Sequence, residues 1–107
     1  MFGIFKKNAS TEQLEFALIT TTGIHLKEYG RMPNGNEILN NVETVLSKVG
    51  CKMDQNQINT TKFAGSLIEL SSDLEEKFRA MVVAGPNTDG KIYAEIVMTL
   101  RRRGVGI

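Results

Sequence analysis

The sequence predicts an all-α fold, a compact antiparallel bundle of about four helices. Three features predict it: glycine ends several segments, apolar residues recur every three to four positions before those glycines, and the intervening loops are short. Glycine is favoured just past a helix because it adopts the left-handed conformation at little cost. The four such glycines are Gly30, Gly50, Gly85 and Gly104. The helices they predict lie near residues 11–29, 36–49, 60–84 and 88–103.

The first predicted helix has a clear beginning and an ambiguous middle. Ser10 and Gln13 have the spacing of a capping box. Leu14 and Leu18 then begin an apolar face. The run TTTG that follows consists of poor helix formers, so residues 20–26 are compatible with either helix or strand.

The other three predicted helices have longer apolar stripes. The second stripe includes Ile38, Val42, Val45 and Val49; the third includes Phe63, Leu67, Leu70, Leu74, Phe78 and Met81; the fourth includes Ile92, Ile96 and Leu100. Candidate N-caps are Asn34 or Asn36 for the second helix, Thr60 or Thr61 for the third, and Thr88 or Asp89 for the fourth.

An α+β fold with a C-terminal β-hairpin at about 78–101 is the alternative. Apolar residues alternate from Ile92 to Leu100, as on one face of a strand. A capping-box spacing from Ser72 to Glu75 also permits a shorter helix there, preceded by a strand at 64–70.

Composition predicts one domain, residues 1–107, in the cytoplasm. The chain has 107 residues, 13 basic and 12 acidic side chains, and a formal net charge of +1. That balance provides no strong field for nucleic acid or an anionic membrane. The opening MFGIFKK lacks the long apolar stretch of a signal peptide. Phe2, Ile4 and Phe5 in it are instead expected to pack on the bundle or on a second copy.

Residues for catalysis or metal binding are scarce. His25 is the only histidine and Cys51 the only cysteine, whereas structural zinc needs about four such ligands. His25 is expected to be a hydrogen-bonded, partly buried side chain, with general-base catalysis as the lesser alternative. The chain has two glycine-rich turns, AGPNTDG at 84–90 and RRRGVGI at 101–107. Neither has the glycine spacing of a phosphate-binding loop. We therefore expect no catalytic residues, no metal and no cofactor.

The run RRRG formed by Arg101, Arg102, Arg103 and Gly104 resembles a helix ending more than a nucleic-acid patch. Cations are favoured in the last turn of a helix. Antiparallel packing of the last two predicted helices places Arg101 opposite Asp73, with Arg102 and Arg103 near Glu69. Nucleic-acid or other anion contact by the three arginines remains the alternative, and it predicts binding that falls steeply with salt.

Without catalytic residues, the sequence favours a small protein-binding domain that inhibits or scaffolds a partner protein. A toxin-neutralising immunity protein is one example of that class. The expected contact is an acidic strip of one helix, Glu69, Asp73 and Glu76, facing a basic partner such as a toxin or enzyme. Homo-oligomerisation is a further possibility that the sequence leaves open.

Overall fold

A computed structural model describes residues 6–85 and 90–107. This part of the chain contains five helices: α1 (Thr11–Tyr29), α2 (Gly35–Lys48), α3 (Gln55–Leu70), α4 (Ser72–Ala84) and α5 (Lys91–Arg102). Two short strands, β1 (Lys7–Asn8) and β2 (Cys51–Lys52), pair in parallel. The predicted all-α class is confirmed, and the hairpin at 78–101 and the strand at 64–70 are wrong. The N-terminal residues Phe2, Ile4 and Phe5 lie outside the described residues.

The start of α1 is confirmed, and α1 continues as a helix through residues 20–26. The Ser10 hydroxyl accepts from the Gln13 amide, and the Gln13 side chain accepts from the Ser10 amide. The hydroxyls of Thr21 and Thr22 donate to the carbonyls of Ala17 and Leu18, one turn earlier. These bonds satisfy the threonine hydroxyls within the helix. Burial of Thr22 and Gly23 against neighbouring helices keeps this run of poor helix formers helical.

The single helix predicted at 60–84 is wrong, because two helices occupy this region. The first begins earlier, since Asp54 and Gln57 form a capping box that the sequence analysis missed. It ends at Leu70, where Ser71 adopts an extended conformation, with φ −110° and ψ 110°. The fourth predicted helix also begins later than expected, at Lys91 after Gly90. Thr88 and Asp89, its candidate caps, lie outside the described residues.

Helix α1 is the centre of the fold. It packs against α2, α4 and α5, while α3 packs against α2 and α4. Its buried face includes Leu14, Leu18 and Leu26, and these side chains join one core with residues from every other helix. The largest fully buried members of that core are Phe78, Leu14, Leu18, Ile19, Ile38, Ile68, Leu74, Ile96 and Leu100.

The helices of the described segments do not have the length and apolar character needed to cross a membrane.

Candidate functional site

Two of the three arginines are engaged in ion pairs within the chain. Arg103 pairs with Asp73 and donates to the Ser71 hydroxyl at 2.7 Å. Arg101 donates to Glu15 of α1 at 3.0 Å and to the Ile107 carbonyl at 2.5 Å. The predicted pairing of Arg101 with Asp73 is therefore wrong. The prediction was based only on packing between the last two predicted helices, whereas α5 also packs against α1.

Arg102 makes a weaker contact, donating to the Thr99 hydroxyl at 3.3 Å, and its side chain is exposed. The expected proximity of Arg102 and Arg103 to Glu69 is not among the contacts of the described residues. The arginines thus tie α5 and the chain end to α1 and α4. Anion contact by the three arginines stays a prediction, and Arg102 is the member best placed for it.

Glu69, Asp73 and Glu76 do not lie on one helical strip. Glu69 belongs to α3 and accepts from the Gly35 amide at 2.6 Å, so it helps to cap α2. Asp73 belongs to α4, where Arg103 and the Ser71 hydroxyl lower its pKa to about 2. Glu76 is exposed on α4. The break at Ser71 removes the single strip on which this partner site was based, and the binding role itself stays a prediction.

His25 is buried beside α2. Its Nδ1 lies 3.3 Å from Asn41 Nδ2, and its ring lies 4.6 Å from that of Tyr29. Its Nε2 lies 3.7 Å from a Glu37 oxygen and has no hydrogen-bond partner among the described residues. Arg31 binds both oxygens of Glu37 at 2.8 Å. The solvent-exposed area of Nε2 is below 1 Å².

The other candidate reactive group is also covered. Cys51 is buried on β2, with Sγ 3.6 Å from Gln13 Oε1. Within residues 6–85 and 90–107, no three His, Cys, Asp or Glu side chains are grouped as a metal site requires.

The feature that sequence reasoning missed is an apolar groove between α1 and α2. Phe16 and Ile24 on α1 are 61% and 50% exposed, and Val49, just past α2, is 64% exposed. They line a hollow of about 660 Å³ together with Val45 of α2. A second hollow of about 560 Å³ contains His25 and shares Ile24 and Val45 with the first. The two hollows therefore adjoin each other between α1 and α2, and we call the two together the groove.

Four residues on the solvent-facing side of α1 lie along a single face of the helix. Glu12, Phe16, Thr20 and Ile24 are four residues apart, so they share one face; we call these four residues the α1 strip. The opposite face of α1, with Leu14, Leu18 and Leu26, is buried by its neighbours. The sequence contained a sign of the strip, since Phe16 and Ile24 lie off the face of Leu14 and Leu18.

No protein-family model, curated protein or solved structure matches the chain.

The two lowered carboxyl pKa values predict a loss of stability in acid. The pKa of Glu37 is lowered to about 2, chiefly by the hydrogen bonds from Arg31 and then by the Asn34 amide; that of Asp73 is lowered similarly. The unfolded chain therefore binds more protons than the folded chain as pH falls from about 4.5 to 2. The stabilisation is fully present above that window and is lost as pH falls through it.

Urea unfolding at several pH values checks this expectation. Glu37→Gln should reduce the dependence of the unfolding free energy on pH between about 4.5 and 2, because one of the two titrating carboxyls is gone. Glu76→Gln, at an exposed acid of α4, is the matched control and should leave the dependence unchanged. An unaltered slope in Glu37→Gln would contradict the expectation.

Proposed function

We propose that this protein is a non-enzymatic protein-binding domain whose binding surface is the groove between α1 and α2. The observation that carries the proposal is the α1 strip. Helix α1 is surrounded by three other helices, yet the one side it leaves to solvent presents Phe16 and Ile24. A central helix that is apolar on its free side is typical of a surface that another protein covers.

The shape of the groove supports binding of a protein segment. Its walls are α1 on one side and Val45 and Val49 on the other, so apolar side chains face an incoming segment from both sides. Amphipathic helices bind in such grooves through apolar residues spaced three to four positions apart. Exposed single apolar residues are common, but here they adjoin one another across two helices, which favours a functional surface.

A binding role is also supported by the burial of the reactive side chains. His25 Nε2 and the Cys51 thiol, the usual choices for a base and a nucleophile, are both covered by the fold. The protein would then act on its partner by covering part of the partner's surface or by positioning the partner. Inhibition of a partner enzyme, as by a toxin-neutralising immunity protein, and scaffolding are the two modes we propose.

Affinity capture with matched variants tests the proposal. We expect Phe16→Ser to weaken retention of the bound protein at least about tenfold, because an apolar side chain buried in an interface is lost. Leu70→Ser is the control, since Leu70 is 82% exposed on α3, away from the groove. Circular dichroism confirms that both variants are folded.

The captured protein is identified from the source organism's lysate after nuclease treatment, and an untagged copy of this chain counts as a partner. Retention lost in Phe16→Ser and kept in Leu70→Ser supports the groove. A stoichiometric partner retained equally by both variants places binding elsewhere and rules the groove out.

A further inference from the structure

We propose that the α1 strip binds a second copy of this chain, with the two α1 helices packed antiparallel about Thr20. This presupposes that the strip is a protein-binding surface, as proposed above, and names its partner. The two copies would be related by a twofold axis, so each contact occurs twice.

The apolar residues of the strip are self-complementary in this arrangement. Phe16 and Ile24 lie four residues before and four residues after Thr20. With Thr20 on the axis, Phe16 of each copy faces the partner's Ile24. Thr20, the smallest of the three side chains, lies where the two backbones come closest.

The charged residues beside the strip match in the same register. Glu12 lies eight residues before Thr20, and Lys27 lies seven residues after it. At about 100° per residue, Glu12 and Lys27 fall on the same flank of the strip. In an antiparallel helix pair, equivalent flanks meet. Glu12 therefore reaches the partner's Lys27 on both sides of the axis.

Neither charge has an ion-pair partner in the part of the chain that the structure describes. Both side chains are exposed, and neither forms an ion pair within residues 6–85 and 90–107. Glu28 falls on the opposite flank, beside α2, where it shares a hollow with Lys48. It does not oppose Glu12 of the partner.

A parallel pairing of two copies and the binding of a different protein both fit the strip less well. A parallel pairing would leave each Glu12 fifteen residues, about 22 Å along the helix, from the partner's Lys27, so neither charge would gain a partner. A different protein with uniformly basic flanks would meet Lys27 on the same flank as Glu12. The opposite charges of Glu12 and Lys27 on one flank therefore favour a second α1 helix in the antiparallel orientation.

Sedimentation equilibrium over a range of concentrations tests the pairing. The parent chain is expected to show a monomer–dimer equilibrium, and Phe16→Ser should weaken dimerisation about a hundredfold or more, because two phenylalanines are lost per dimer. Glu12→Lys and Lys27→Glu should each weaken it about tenfold, since each brings two like-charged pairs together. The two charge changes combined should restore most of the affinity.

A cross-link tests the position of the axis. Thr20→Cys should form a disulfide between copies under mild oxidation, because the two Cβ atoms lie close together on the axis. Lys27→Cys is the control: residue 27 is more exposed than residue 20, but the two copies of residue 27 are far apart. Cross-linking of both variants alike, or no rescue by the combined charge changes, would overturn the arrangement.

The outcomes separate the two proposals. In one outcome, the parent chain is monomeric at all concentrations while Phe16→Ser loses a different bound protein. That outcome overturns the pairing of two copies but is consistent with protein binding at the groove. A monomer whose binding is unaffected by Phe16→Ser overturns both.

Discussion

Replacing Phe78 with alanine is expected to lower the free energy of unfolding by about 3–5 kcal/mol, the usual cost of removing a buried phenylalanine ring. Phe78 is fully buried in the middle of α4. Helix α4 packs against α1, α3 and α5, so helices on several sides restrict how far the fold can close the cavity. The surrounding backbone cannot close it, because each of these helices is held by its other contacts.

Urea denaturation of the parent and the variant measures this loss, with Val83→Ala as the control. Val83 lies on the same helix but is 86% exposed, so its truncation should change stability by no more than about 0.5 kcal/mol. A loss of less than about 1.5 kcal/mol in the free energy of unfolding for Phe78→Ala would contradict the full burial of Phe78 in the core.

Helix endings were the part of the fold most easily predicted from the sequence. All four glycines chosen as endings have positive φ angles, from 70° at Gly85 to 96° at Gly104. The conformation that glycine alone adopts cheaply is used at each of them. The prediction succeeded because it depended on local backbone sterics, which a single sequence contains.

The break between α3 and α4 could not be predicted from periodicity. Apolar residues continue at helical spacing across it, from Leu67 to Leu74, and neither glycine nor proline marks it. The structure shows that the stripe is not continuous, because Leu70 is 82% exposed while Leu74 is buried. Ser71 accepts a hydrogen bond from Arg103 of the distant chain end, a contact that depends on tertiary packing.

The groove between α1 and α2 was missed for a related reason. An apolar pattern shows that a helix has an apolar side, but not which of two apolar sides its neighbours cover. In α1, Leu18 is buried and Phe16 is exposed because α2, α4 and α5 happen to surround the leucine side. The number and placement of neighbours are properties of the whole fold.

Gly65→Leu is expected to lower the free energy of unfolding by about 3 kcal/mol, at the upper end of the usual cost of overpacking. A Cβ atom at Gly65 would lie 3.3 Å from the Cα of Gly35 and 3.4 Å from its carbonyl oxygen. Backbone atoms cannot rotate away as a side chain does. A leucine must therefore push α3 away from the start of α2, which loosens Ile38 beneath it.

Gly23→Ala provides the contrast that identifies the cause. A Cβ atom there would meet Met81 Cε at 2.8 Å, the end of a flexible side chain. We expect Met81 to move aside, so the better helix propensity of alanine stabilises the fold by up to about 1 kcal/mol. Denaturant unfolding of the two variants measures both effects. If Gly65→Leu stays within about 1 kcal/mol of the parent, the two backbones are not in close contact at Gly35, and the α2–α3 packing described here is wrong.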